Sequence, residues 1–343
     1  MGKQPLAVFL AVAAAFFFGI STPLSKALIL DLNPFLLAGL LYLGAGLGLL
    51  VLSLFGKKKE VPAGKKFNYK YIAGMVVFGG LLGPVFLMWA IKIAPAASVS
   101  IWLNMELVAT AVLGHFLFKD HLDKAGWLSV ALSLTAGILL SYSGGAAGFT
   151  AGLLVALACF CWGFDNHFTA LIDDLSPSRS TMIKGLAAGT TNLLIGLALA
   201  GGFPPAAATG KALLVGFLCY GLSITFYISS AQKLGAVRSQ LIFSVAPLFG
   251  VALSMLALGE GLSAAQGISG ALLFVSVWLM LAEKHGHSHE HVEMEHTHQH
   301  GHVDLHHDHH GTAPEKAHAH FHKHAPAAHE HPHWPDLHHR HPH

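Results

Sequence analysis

Glu106 stands in the middle of an uncharged apolar run long enough to cross a bilayer. A charge at the bilayer centre costs about 2.5–3.5 kcal/mol even on the mildest scale. A carboxylate kept there either carries a proton or binds a cationic group, or it is a structural group bonded to a neighbouring helix. Trp102 and Thr110 lie one helical turn to either side of it, and Asn104, two residues back, falls on a different face. A second cluster is Asp165-Asn166-His167. Three consecutive helix positions sweep about 200°, so they cannot all face one cavity. Trp162, Asp165 and Thr169 share a stripe that is expected to line a pathway. Asn166 and His167 are expected to bond to adjacent helices, although imidazole at His167 can also couple to protons. Lys184, Ala188, Thr191 and Asn192 share a face. Lys184 either pairs with Asp165 or snorkels to the interface, and Lys26 has the same two readings. Tyr220, Ser223, Tyr227 and Ser230 form a polar stripe that reads as ligand contact or as helix–helix glue.

The densest chemistry lies at the C-terminus. Of 26 histidines, only His115, His121 and His167 precede residue 284, leaving 23 in the last 60 residues. They alternate with other residues through His285, His287, His289 and His291, and again through His296, His298, His300 and His302. His306, His307, His309 and His310 follow. Imidazole suits Zn, Ni, Co and Cu, and closely spaced rings on one chain can converge on one ion. The tail is therefore expected to bind a divalent transition metal, and to lose it below about pH 6 as the imidazoles protonate. It holds too few bulky apolar residues for a core and is expected to be disordered.

The elements that position these groups follow from composition. The chain is 53% hydrophobic and 11% charged, well below the roughly 25% charged of a soluble domain. Its formal charge of +2 gives no case for nucleic acid. Apolar runs at 5–24, 34–55, 71–91, 97–118, 125–142, 151–171, 182–200, 212–231, 240–258 and 264–282 read as ten membrane helices. Lys3 and the small residues near Ala13 permit a cleaved signal, but the first run begins a pattern that recurs later and is expected to be retained. Cys159, Cys161 and Cys219 all lie in apolar runs and read as small buried hydrophobes. Lys57, Lys58, Lys59, Lys65, Lys66 and Lys70 place the link after the second run in the cytoplasm. Counting from there puts both termini in the cytoplasm of an inner (plasma) membrane protein.

The two halves resemble each other. Gly19 and Asp31-Leu32-Asn33-Pro34 correspond to Gly163 and Asp174-Leu175-Ser176-Pro177, and residues 90–111 align with 231–252. An odd number of spans per half inverts the second copy, an architecture of secondary transporters with a midplane site. The expected organisation is a first five-helix repeat over 1–142, a second over 143–283, and the His-rich tail over 284–343.

FFFGISTPLSK (16–26), WLNMELVATAVLGHFLFKD (102–120), CWGFDNHFTALIDDLSP (161–177), KGLAAGTTNLL (184–194) and RSQLIFSVAPLFGVALSMLALGE (238–260) together resemble the EamA-type permeases of the drug/metabolite transporter superfamily. Leu107 stands where that family often has proline after the glutamate, whereas Ala246-Pro247 keeps it. Asp120 and Glu260 match the acidic residues that close the two motifs. The resemblance implies ten helices and proton- or exchange-driven movement of a small metabolite, often export. The tail lies outside the common family pattern. The lipid bilayer, a small-molecule substrate and divalent metal are the expected partners; the oligomeric state is left open by the sequence, with a homodimer as one candidate. No cofactor is required, and no phosphate loop, nucleophile elbow or zinc-protease motif points to an enzyme. Two alternatives stand beside the metabolite exporter: efflux of Ni, Co, Zn or a metal complex, and a non-transporting membrane sensor or store of metal.

Overall fold

The computed structural model describes residues 4–55, 69–117, 124–172, 175–234, 242–282, 286–291, 294–300, 318–324 and 327–332. Up to residue 282 these are helical: α1 (Gln4–Leu28), α2 (Pro34–Phe55), α3 (Tyr69–Ile93), α4 (Ala96–Leu117), α5 (Lys124–Ser143), α6 (Gly145–Ala170), α7 (Pro177–Ala200), α8 (Ala206–Leu234), α9 (Ala246–Leu258) and α10 (Ala264–Ala282). Each of α1 to α8 contains a stretch long and apolar enough to cross a membrane; α9 and α10 give shorter apolar helices. The chain is an integral membrane protein whose helices turn large apolar side chains outward, as at Phe9, Leu54, Ile138, Leu199 and Trp278. In lipid only helices and closed barrels satisfy their own backbone, which is why apolar runs of this length fold as helices.

Glycine faces let the central helices touch backbone to backbone. A Cβ on Gly39 or Gly46 of α2 would lie within 2.4 or 2.7 Å of the α7 main chain, and one on Gly189 within 2.4 Å of the α2 main chain. Small residues at such contacts are the usual means of packing helices where lipid supplies no hydrophobic drive. α5 and α10 are joined by hydroxyls instead: Ser129 Oγ donates to the Ser276 carbonyl at 2.6 Å, and Ser133 Oγ lies 2.6 Å from Ser276 Oγ. α1 packs on α8 and α9, and α6 packs on α3 and α4.

Two irregularities recur 141 residues apart, the shift that aligns residues 90–111 with 231–252. α3 is wound as a π-helix over Met75–Leu82 and α8 over Gly216–Leu222. α4 is interrupted at Leu103–Asn104, and the chain entering α9 turns at Ser244–Val245.

The tail forms a separate unit, Lys284–Trp334. Its described residues are strands: β1 (Gly286–His291) pairs antiparallel with β4 (Ala327–Pro332), and β2 (Met294–His300) with β3 (His318–His324). The physical reason is periodicity, since histidine at every second position is the strand repeat. The register sets His296 opposite His322, His298 opposite His320 and His300 opposite His318. His285, His302, His306, His307, His309 and His310 lie outside the described residues, as do Asp120 and His121.

Candidate functional site

The π-wound part of α3 organises the interior. Its wider turns present main-chain carbonyls to neighbouring side chains. Tyr42 Oη donates to the Gly79 carbonyl at 2.8 Å and Trp162 Nε1 donates to the same oxygen at 3.2 Å. Asn192 Nδ2 donates to the carbonyls of Gly80 (3.2 Å) and Leu81 (3.3 Å). The bare Cα of Gly79 leaves room for Asp165, whose carboxylate carbon would be 2.2 Å from a Cβ there. Lys184 Nζ donates to Asp165 Oδ2 at 2.5 Å, and Thr169 Oγ1 donates to Oδ1 at 3.1 Å. Asp165 and Lys184 are 6% and 7% exposed. Of the two sequence readings for Lys184, pairing with Asp165 is the one observed. α2, α3, α6 and α7 thus meet around a neutralised ion pair, as burial of two charges requires.

Glu106 lies one turn past the break in α4 and is arranged differently. Its Oε1 accepts from Asn166 Nδ2 at 3.2 Å, and the same amide lies 3.1 Å from Thr110 Oγ1. His167 Nε2 donates to the Thr110 carbonyl at 3.0 Å. Glu106 has no ion-pair partner among the described residues. It is partly accessible and Asn166 is exposed, whereas every residue of Ala96–Trp102 at the other end of α4 is buried. Glu106 and Asn166 are thus more accessible than that end of the helix, beside which a cavity of about 380 Å³ is lined by Pro95, Ser98, Trp102, Glu260 and Gln266.

The Trp162–Asp165–Thr169 stripe, expected to line a pathway, faces α3 and Lys184. Asn166 and His167 do bond to a neighbouring helix, and that helix carries Glu106. Asn104 does not join the cluster, because the break in α4 turns it toward a cavity of about 80 Å³ shared with Ser244, Pro247 and Phe274. Tyr220 is buried between Tyr42 and Phe18, with ring centroids 5.5 and 6.3 Å away. Phe18 continues to Phe243 (5.3 Å), and Phe243 to Tyr227 (4.9 Å). Ser223 and Ser230 of the same stripe donate to the Ala14 and Ala7 carbonyls of α1 at 2.8 and 2.9 Å, which is helix glue. Sequence reasoning missed Tyr42, Phe18, Phe243 and the glycine carbonyls. Tyr42 left one signal, as the lone polar side chain in the interior of α2.

The EamA-like transporter family model matches residues 5–142 and again 149–282. A protein of Methanothermobacter thermautotrophicus named "Uncharacterized transporter" is 25% identical over 78% of this chain and 84% of its own length. A Synechocystis protein also named an uncharacterized transporter is 25% identical over 78% of this chain and 88% of its own. A Salmonella typhimurium "Probable amino-acid metabolite efflux pump" is 27% identical over 51% of this chain and 56% of its own. One solved crystal structure superposes with a TM-score of 0.57 at 17% identity, covering 81% of this chain and 98% of that one, a likeness of fold alone. With the family model covering both halves of a helical membrane chain, this protein belongs to the EamA-like transporter family.

Proposed function

We propose that this membrane transporter exports a small metabolite by proton- or exchange-coupled alternating access, with Glu106 as the group that binds the proton or a cationic part of the cargo. The observation that carries this is the contrast between the two membrane carboxylates: Asp165 is neutralised by Lys184, whereas among the described residues Glu106 is held only by an amide and is partly open. A carboxylate without a counter-ion at mid-span is stable when it is protonated or occupied. We further propose ten spans in two inverted five-helix repeats. Contacts that map onto themselves (α2 on α7, α5 on α10) and contacts that map onto each other (α1 on α8 and α9, α6 on α3 and α4) support this reading. Both termini are placed in the cytoplasm of the inner membrane, and a homodimer is the assembly to test. The name of the Salmonella relative makes amino-acid metabolites the first cargo class to try.

We propose that the tail binds divalent Zn, Ni, Co or Cu through its alternating histidines and acts as a sensor or buffer. Metal as cargo is the weaker alternative. No three His, Cys, Asp or Glu side chains converge among the described residues, which include the membrane helices. The test is efflux from cells loaded with amino acids and their analogues, comparing the full protein with Glu106→Gln at matched membrane abundance. Loss of efflux is expected, and undiminished efflux removes Glu106 from the mechanism. Cellular Ni, Co, Zn and Cu are measured in the same cells and in a version stopped after Lys284. A metal lowered only by the intact chain makes metal the cargo.

A further inference from the structure

The turn between α3 and α4 is held by two charges from elsewhere in the chain. Lys26 of α1 donates through Nζ to the carbonyls of Ile91 (2.7 Å) and Ala94 (2.8 Å), the last turn of α3. Glu260, on the link from α9 to α10, accepts the main-chain N–H of Ala96 through Oε1 and of Ala97 through Oε2, both at 2.8 Å, at the first turn of α4. Each charge complements the helix end it touches, a cation on terminal carbonyls and a carboxylate on terminal amides. Pro95 lies between the two grips, extended at φ −57° and ψ 141°.

The two grips differ in reach. Lys26 belongs to the same half of the chain as the turn, so its contact is internal to that half. Glu260 comes from the other half. Beside it, Gln266 Nε2 donates to Ser98 Oγ at 2.9 Å, again across the halves, and both residues are buried. Gln266 also accepts the Ser263 N–H at 2.7 Å, and its own N–H is 3.2 Å from Ser263 Oγ, a reciprocal cap that fixes the start of α10. Every residue of Ala96–Trp102, the end of α4 held in this way, is buried, and Ser98, Trp102, Glu260 and Gln266 also line a cavity of about 380 Å³ that stops at these contacts; the end beyond Glu106 is partly open.

We infer that Glu260 is a positioning residue of the transport cycle: its bidentate grip on the Ala96 and Ala97 amides, backed by Gln266 on Ser98, latches the two halves together at the end of α4 remote from Glu106. Parting the halves at that end must break the Glu260 and Gln266 contacts, while Lys26 keeps the α3–α4 turn intact as a unit. The inference rests on the alternating-access reading above. Its readout is side-specific accessibility rather than transport, so it stands or falls apart from the role of Glu106.

The experiment uses the full chain with Cys159, Cys161 and Cys219 replaced by alanine and one reporter, Ser100→Cys, in the buried part of α4. Membrane-impermeant maleimide is added separately to right-side-out and inverted vesicles. Two variants open the latch, Glu260→Ala and Ala96→Pro. Ala96 is the first residue of α4, where proline is accepted, and Pro95 already has the extended conformation that a following proline requires. Ala96→Pro thus removes one donor and displaces the carboxylate without touching a charged residue. Labelling from the side of the α3–α4 turn is expected to rise at least about tenfold in both variants, as loss of charge-assisted hydrogen bonds implies. Labelling from the opposite side stays the same or falls. Unchanged labelling in either folded variant overturns the inference, as does a lowered melting temperature with no change in sidedness. If Glu260→Ala does not accumulate, Ala96→Pro alone decides.

Discussion

The two halves share a scaffold and divide the chemistry unequally. Both carry a π-wound third helix and a turn at the start or middle of the fourth, at positions 141 residues apart. At Gly79 of the first half the missing side chain admits the Asp165–Lys184 pair. The matching position in the second half is Tyr220, which fills the space with a ring packed between Tyr42 (tilted) and Phe18 (edge-on). After the break in α4 comes Glu106, and at the matching position in α9 comes Pro247. Duplicated backbone irregularity with unduplicated charge teaches that the irregularities belong to the shared architecture, whereas the ionisable groups are particular to the first half's surroundings.

The comparison breaks most directly at that last pair. Glu106→Gln is expected to abolish efflux, whereas Pro247→Ala, at a helix start where proline only restrains the unfolded chain by about 0.4–1 kcal/mol, should keep most of it. Equal losses would show that the site is shared by both halves. Next in size is the ion pair. Asp165→Ala or Lys184→Ala strands a buried charge and should cost about 3–5 kcal/mol, read as a large fall in the thermal midpoint of the purified protein. The double change Asp165→Asn with Lys184→Met should recover much of it. Smaller again is the glycine test. A Cβ on Gly80 would lie 2.4 Å from Ala188 Cβ, whereas its counterpart Gly221 has no atom nearer than 3.3 Å. Gly80→Ala should lower the midpoint and Gly221→Ala should barely move it. The smallest effect on the membrane part comes from stopping the chain after Lys284. Its melting is expected to be unchanged, while calorimetric binding of Zn or Ni is lost. In the full chain that binding should fade as pH falls below about 6.

Much of this arrangement was legible in the sequence. Uncharged runs of about twenty residues read as membrane helices because the bilayer fixes their length, and the 141-residue shift was visible in the aligned segments around Ala90 and Ala231. Glu106 and Asp165 stood out because intramembrane charge is costly. The division of labour between them was not legible. Whether Asp165 faces a cavity or a helix depends on the bare Gly79 on α3, and glycine is too common in membrane helices to mark such a place. Glu260 stood out only as the end of a family motif; its grip on Ala96 and Ala97 joins residues more than 160 apart and leaves no local trace.

The glycine seam between α2 and α7 also has a consequence for how the protein is made. α2 ends at Phe55 and α7 begins at Pro177. Synthesis proceeds at about 5–20 residues per second, so roughly six to twenty-five seconds separate the two during translation. Throughout that interval α2 presents Gly39 and Gly46 to lipid or to the insertion machinery, and for the sixty residues between them within it Glu106 waits for Asn166. The nascent first half is thus a substrate for quality control before it is half of a transporter. A chain ending at residue 142 should be cleared by membrane proteases, and co-expressing residues 143–343 as a separate piece should rescue it.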